Sequence, residues 1–173
     1  KLTDEELNRL RSICGNVTFL QDERYKTEMD LSGFEAVICN SLFVNNDIER
    51  FKSLEYIQLT SAGTDRIPMD KITKEGITLH TARGVYSIPM AEWAVCKALD
   101  FYKETLFFAE NQKTKEWKKS RSLGELNGKN VCIVGFGSIG TECGKRFSAF
   151  GCNVSAVDIF PLESPYISEY FEV

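Results

Sequence analysis

The sequence predicts an α/β protein with mostly parallel sheets, arranged as two successive domains. Three observations carry that expectation. Apolar runs rich in β-branched residues alternate with helix-length amphipathic runs along the chain. Three glycines, Gly135, Gly137 and Gly140, follow one of those runs, Val131 to Val134, at G-x-G-x-x-G spacing. A further apolar run, Val154 to Asp158, comes after an amphipathic stretch and ends on an acid.

The elements follow in order. Thr3-Asp4-Glu5-Glu6 reads as a helix start, with Thr3 as the cap and Glu6 three residues on. Leu7, Leu10 and Ile13 then share a face, and Gly15 ends the helix. Short strands are expected at Val17–Leu20, Phe34–Cys39, Tyr56–Thr60 and Ile77–Thr81, with helices at Asn46–Leu54 and Lys71–Glu75. Such a unit ordinarily opens on a strand, so the first domain is expected to lack its first one. Ser87 and Pro89 open the longest predicted helix, Pro89 to Phe108, whose only polar stripe is Lys97, Asp100, Lys103 and Glu104. A helix so apolar is expected to be buried on several sides and to bridge the two halves. Glu110–Glu125 is a polar connector, and the strand from Val131 opens the second half.

Bulk properties exclude some classes. The chain has 173 residues, 43% hydrophobic and 27% charged, with a net charge of −4. No basic stripe runs along it. Lys113, Lys115, Lys118, Lys119 and Arg121 are interrupted by Glu116 and read as a solvated connector, so neither nucleic acid nor an anionic membrane is an expected partner. No apolar stretch has the length of a membrane span, and no signal peptide is visible at the start, although the first residue is Lys1 rather than Met. The six cysteines form no C-x-x-C pair, and Cys39, Cys96 and Cys132 sit in apolar runs as core residues do. Reduced thiols and a cytoplasmic location fit this usage, and no metal site is expected.

The glycine run with its flanking strands is the dinucleotide-binding fingerprint. Gly135 permits the tight turn out of the strand. Gly137 has no Cβ, so a pyrophosphate can approach the backbone. Gly140 lets the helix pack on the sheet. The N–H groups at Ser138 and Ile139 face the phosphates at the helix start. Asp158 stands where a carboxylate accepts both ribose hydroxyls and repels a 2′-phosphate. No Arg or Lys follows in Ile159-Phe160-Pro161, so NAD is expected over NADP.

Four stretches together resemble the D-isomer-specific 2-hydroxyacid dehydrogenases, most nearly the phosphoglycerate- and hydroxypyruvate-type members. They are Ser61-Ala-Gly63-Thr-Asp65-Arg-Ile67-Pro; Thr81-Ala-Arg-Gly84-Val85-Tyr86-Ser-Ile-Pro-Met-Ala91-Glu92; Trp117 with Gly124-Glu-Leu-Asn-Gly128-Lys; and Val134-Gly-Phe-Gly-Ser-Ile-Gly140. The resemblance implies a flavodoxin-like substrate domain over residues 1–88, then an incomplete Rossmann-type NAD-binding domain over 89–173. It implies a cleft in which nicotinamide meets a small 2-hydroxy or 2-keto acid, hydride transfer between them, and a homodimer. The N–H groups of Ser61, Ala62 and Gly63 become candidates for gripping the substrate carboxylate, with Asn40 and Ser41 as weaker ones.

The family's catalytic Arg, Glu and His lie beyond the βαβ unit, and no position of this chain matches them. His80, the only histidine, stands upstream of the fingerprint on a predicted strand. Glu92 and Arg83 match no catalytic residue of the family. The chain is therefore expected to be an incomplete piece that does not turn over substrate by itself. A competing reading is an NAD-sensing, corepressor-like binding module of the same fold. Another is a dehydrogenase of the alanine dehydrogenase or adenosylhomocysteinase type, whose first-domain Lys, His or Cys chemistry has no counterpart here.

Overall fold

The computed structural model describes residues 2–20, 22–160 and 163–172. The chain divides into two compact units, residues 1–81 and 82–173, and each has its own parallel sheet.

The first unit opens on α1 (Asp4–Cys14). Its capping box forms as the sequence predicts: Thr3 Oγ1 accepts the Glu6 N–H at 3.3 Å, and Glu6 Oε2 accepts the Thr3 N–H at 2.7 Å. Then come β1 (Ala36–Cys39), the single turn α2 (Leu42–Asn45), a 3-10 turn at Ile48–Arg50, β2 (Tyr56–Leu59), α3 (Met69–Glu75) and β3 (Thr78–His80). The sheet order is β1-β2-β3, with Ile38 beside Gln58 and Gln58 beside His80. Its central strand buries Ile57 and Leu59 against Ile48, Phe51, Ile72 and Ile77. Burial of each such side chain contributes roughly 1.5–3 kcal/mol. Gly76 ends α3 at φ +69°, where its lack of a Cβ removes the strain, and its N–H returns to Ile72 O and Thr73 O.

Two expectations fail in this unit. Val17–Leu20 is not a strand. Leu20 packs on the core, but the segment pairs with no strand, and an unpaired strand has no ladder to hold it. Asn46–Leu54 is not a helix either. Asn46 takes extended angles (φ −126°, ψ 115°) as the C-cap of α2, and only the short turn at Ile48–Arg50 follows. Its side chain explains the break, being 1% exposed with every hydrogen-bonding site used. Asn46 Nδ2 donates to Tyr25 O and Leu42 O (both 3.1 Å), while Oδ1 accepts from Thr27 N (3.0 Å) and Arg50 Nη1 (3.1 Å). These bonds pin the irregular segment before β1 to the core.

The second unit opens on α4 (Ser87–Tyr102) and α5 (Thr105–Thr114), two helices where one was expected. Glu104 sits between them in the left-handed region at φ 48°. The break is held from residues remote in sequence. Lys103 Nζ donates to Gly124 O (2.9 Å), Gly124 N donates to Tyr102 O (2.9 Å), and the Ser122 hydroxyl donates to the Glu104 carboxylate. Then come β4 (Asn130–Val134), α6 (Ser138–Ala149), β5 (Asn153–Asp158) and β6 (Glu169–Glu172), in the parallel order β4-β5-β6. The strand β6 has no counterpart in the sequence-based reading. Val95 of α4 packs with Leu126, Phe147, Cys152 and Val154 in a second core. The expectation that α4 is buried on several sides fails within this chain: Ala91 and Val95 are buried, whereas Trp93 and Phe101 are exposed. Cys96 and Cys132 are exposed as well, not core residues, while Cys39 and Cys152 are buried.

Candidate functional site

The turn between β4 and α6 is built by glycine geometry. Gly135 continues the ladder by donating its N–H to Val157 O at 2.8 Å, then takes φ +87°, a conformation an L side chain would strain. A Cβ on Gly140 would lie 2.2 Å from Gly135 O and 3.3 Å from Ile133 Cγ2, so α6 reaches the turn only because residue 140 is glycine. A Cβ on Gly137 would meet nothing within 4 Å, so that residue borders open space. Between them the Phe136 ring is 1% exposed, wedged beneath the turn against Gly144 of α6.

Gly137 is the N-cap of α6 and offers no side-chain cap. The N–H groups of Ser138, Ile139 and Gly140 have no hydrogen-bond partner among the described residues. Four orphan donors are normal at a helix start, and here the helix dipole adds partial positive charge beside the open space at Gly137. Such a start is suited to an anion.

Asp158, the last residue of β5, closes the other side. Its Oδ2 accepts the Phe136 N–H at 2.6 Å, and its Oδ1 accepts from Ile159 N (2.7 Å) and Phe160 N (3.3 Å). The carboxyl is held below the usual aspartate range, first by the Phe136 N–H and then by those of Phe160 and Ile159. It is therefore a carboxylate at neutral pH, with lone pairs left for further donors. The structure thus brings Gly135, Gly137, Ser138, Ile139, Gly140 and Asp158 into one small region. An adenine dinucleotide fits this donor set: a diphosphate against the free amides over Gly137, and a ribose diol against Asp158.

Ser61, Ala62 and Gly63 lie in the first unit, in the bend after β2. Ser61 Oγ donates to Gly63 O at 3.0 Å, and the N–H groups of all three are unengaged among the described residues. Nearby, Ser41 Oγ accepts from Arg66 Nη1 at 3.3 Å, and Asn40 N donates to both oxygens of Glu23 (3.1 and 2.9 Å). Asn40 Oδ1 is buried without a hydrogen bond.

Among the described residues, the remaining sequence candidates make only local contacts. The His80 ring stacks obliquely on Tyr56, with centroids 5.5 Å apart. Glu92 accepts from Arg146 Nη2 at 3.4 Å, and Arg146 also pairs with Glu142. Arg83 is exposed. Among the described residues no cluster of three metal-ligating side chains exists, and no helix is long and apolar enough to cross a membrane. The site residue that sequence reasoning missed is Tyr170 of β6. Its hydroxyl lies within hydrogen-bond reach of Asp158 O (2.7 Å) and Phe160 O (2.8 Å), and its single proton is shared between the two carbonyls. No spacing rule marks it, because β6 itself was not foreseen.

Residues 95–172 match the family described as D-isomer specific 2-hydroxyacid dehydrogenase, NAD binding domain. The chain is 29% identical over 150 residues to the D-3-phosphoglycerate dehydrogenase of Bacillus subtilis, a match spanning 85% of this chain and 29% of that protein. It is 32% identical over 127 residues to the hydroxypyruvate reductase of Thermotoga maritima, spanning 73% of this chain and 42% of that one. The chain thus covers less than half the length of either relative. Among solved structures, an NADPH-dependent glyoxylate/hydroxypyruvate reductase from Sinorhizobium meliloti shares the fold at TM-score 0.78 and 20% identity, over 100% of this chain and 56% of that one. A D-lactate dehydrogenase from Aquifex aeolicus, complexed with NAD and lactic acid, does so at TM-score 0.75 and 18% identity, over 94% of this chain and 51% of that one.

Proposed function

We propose that this chain, a member of the D-isomer specific 2-hydroxyacid dehydrogenase family, holds NAD at Gly135–Gly140 and Asp158 and serves an oxidoreductase that interconverts a D-2-hydroxy acid and its 2-keto acid. One observation carries the reading. The Asp158 carboxylate lies 2.6 Å from the amide of the glycine turn, beside an open Gly137 and free amides at Ser138 and Ile139. NAD, when bound, supplies the hydride acceptor for oxidation of the carbinol carbon. The chain's own residues bind and orient. The amides at Ser138 and Ile139 receive the diphosphate, and Gly137 admits it. Asp158 takes the ribose hydroxyls and, being anionic, repels a 2′-phosphate, which favours NAD over NADP.

On this reading the first compact unit, expected from the sequence as residues 1–88 and ending at Thr81 in the fold, forms the substrate domain, and the second forms the NAD-binding domain. The free amides of Ser61, Ala62 and Gly63 grip the carboxylate of a small 2-hydroxy or 2-keto acid. The exposed Trp93, Phe101 and Leu106 on α4 and α5 support a homodimer over a monomer. The acidic net charge and reduced cysteines support a cytoplasmic protein without nucleic-acid or membrane partners. No residue matches the family's catalytic Arg, Glu or His, so this chain alone binds cofactor without turnover.

Calorimetric titration of the chain with NAD and NADP tests the assignment. NAD is expected to bind about tenfold or more tighter, and equal affinity or no binding of either overturns it. Incubation with NADH and a panel of 2-keto acids is expected to leave the 340 nm absorbance unchanged. Oxidation of NADH would overturn the inactivity.

A further inference from the structure

We infer that Tyr170 is a positioning residue for the ribose grip: its phenol fixes the turn that aims the Asp158 carboxylate, and through it the preference for an unphosphorylated adenosine ribose. The inference rests on the dinucleotide reading of the site.

The argument starts from register. β6 runs parallel to β5 with Tyr170 beside Ala156, and the half-buried Tyr170 side chain leans along the strand direction toward the end of β5. Its hydroxyl there meets two carbonyls, Asp158 O at 2.7 Å and Phe160 O at 2.8 Å. One phenol proton, shared between the two carbonyls, thus spans both ends of the Asp158–Phe160 turn. The same turn directs the Ile159 and Phe160 N–H groups onto Asp158 Oδ1, which leaves Oδ2 facing the Phe136 N–H. The other side chains of the turn supply no anchor, since Ile159 and Phe160 are both exposed. Without the phenol the two carbonyls are free to turn to water. The carboxylate then loses the backbone geometry that holds it in one rotamer, so an interaction requiring a fixed bidentate acceptor weakens.

Tyr170→Phe keeps the ring and removes only the hydroxyl. ADP-ribose and its 2′-phosphate are the probes, titrated by calorimetry into the 173-residue chain and into Tyr170→Phe, Asp158→Ala and the double variant. Tyr170→Phe is expected to weaken ADP-ribose about tenfold, the scale of one ribose hydroxyl bond to the misaimed Asp158 carboxylate. The 2′-phosphate is expected to lose less, so discrimination narrows. The double variant is expected to bind no more weakly than Asp158→Ala alone, because a positioning residue acts only through the group it positions. A second readout is the pH titration of the Phe136 amide proton shift, which follows the carboxylate it touches. Its midpoint is expected to move up in Tyr170→Phe while the fold, followed by circular dichroism, stays intact. Additive losses in the double variant, or an unmoved Phe136 titration with unchanged discrimination, would overturn the positioning role and leave the NAD reading standing. Failure of the unmodified chain to bind ADP-ribose would overturn both.

Discussion

A methyl group on Gly140 would sit 2.2 Å from the carbonyl oxygen of Gly135, whereas one on Gly137 would touch nothing. Two glycines of one motif are therefore constrained differently: Gly140 by packing, and Gly137, on the proposed function, by the diphosphate it admits. Gly140→Ala is expected to destabilise the chain by about 1–3 kcal/mol, because backbone and helix must separate to admit the methyl. Gly137→Ala places its methyl in open space, at φ −73° and ψ −153° on the margin of the extended region, and is expected to lower the urea midpoint far less than Gly140→Ala while weakening NAD binding at least about tenfold. A Gly137→Ala variant with unweakened NAD affinity would move the diphosphate elsewhere.

Asp158 makes stability depend on pH in a defined direction. Its carboxyl is held below the ordinary aspartate value by the Phe136 N–H and those of its own turn. A folded-state pKa below the unfolded one contributes stability that is fully present above about pH 4 and is lost as pH falls through the folded value. Urea midpoints measured between pH 7 and pH 3 are expected to fall less steeply for Asp158→Asn than for the unmodified chain. Parallel curves would show that the bonds do not distinguish the ionised acid.

Asn46 is a buried amide with all four capacities filled. Asn46→Ala removes the partners of the Thr27 N–H and the Tyr25 carbonyl, both part-buried, and is expected to cost about 1–3 kcal/mol in urea unfolding, at roughly 0.5–1.5 kcal/mol for each bond lost. Asn45→Ala, which breaks one exposed bond to Arg24 O, is expected to cost less than about 1 kcal/mol.

Lys115 ends α5 at φ 55°, with its N–H returned to Asn111 O and Gln112 O. The site suits glycine, which takes that conformation without a Cβ penalty. Lys115→Gly is expected to raise stability by about 0.5–1 kcal/mol, read as an increase in the thermal midpoint.

Burial and the nearby Glu23 charge push the Cys39 thiol up to about 12. A thiol-specific chromogenic disulfide at pH 8 is expected to label Cys14, Cys96 and Cys132 in the folded chain, and Cys39 only after denaturation.

The glycine turn was legible in the sequence because it rests on what residues lack, and the absence of a Cβ at 135, 137 and 140 has few other uses. The capping box at Thr3 and the αL stop at Gly76 were legible for the same local reason. The errors arose where distant residues decide. Nothing near Glu104 announces that Ser122 and Gly124 will capture a break there, and an apolar pattern continues through the break unchanged. Asn46 reads as an ordinary helix residue until its partners at Tyr25 and Thr27 are known. β6 escaped because Glu169-Tyr-Phe-Glu172 is short and half polar, and its identity as a strand comes from pairing with β5. Tyr170 escaped with it.

The bonds from Ser122 and Gly124 back to Tyr102, Lys103 and Glu104 also separate covalent continuity from structural integrity. Between the end of α5 and Ser122 the chain is exposed, with Trp117 94% accessible and Lys118, Lys119 and Arg121 nearby. Trypsin can cut this connector, yet β4 would stay docked, since α4 packs on α6 and the returning loop is tied at the helix break through Ser122 and Gly124. A nicked second unit would therefore migrate as two bands under denaturing conditions and as one particle in native buffer.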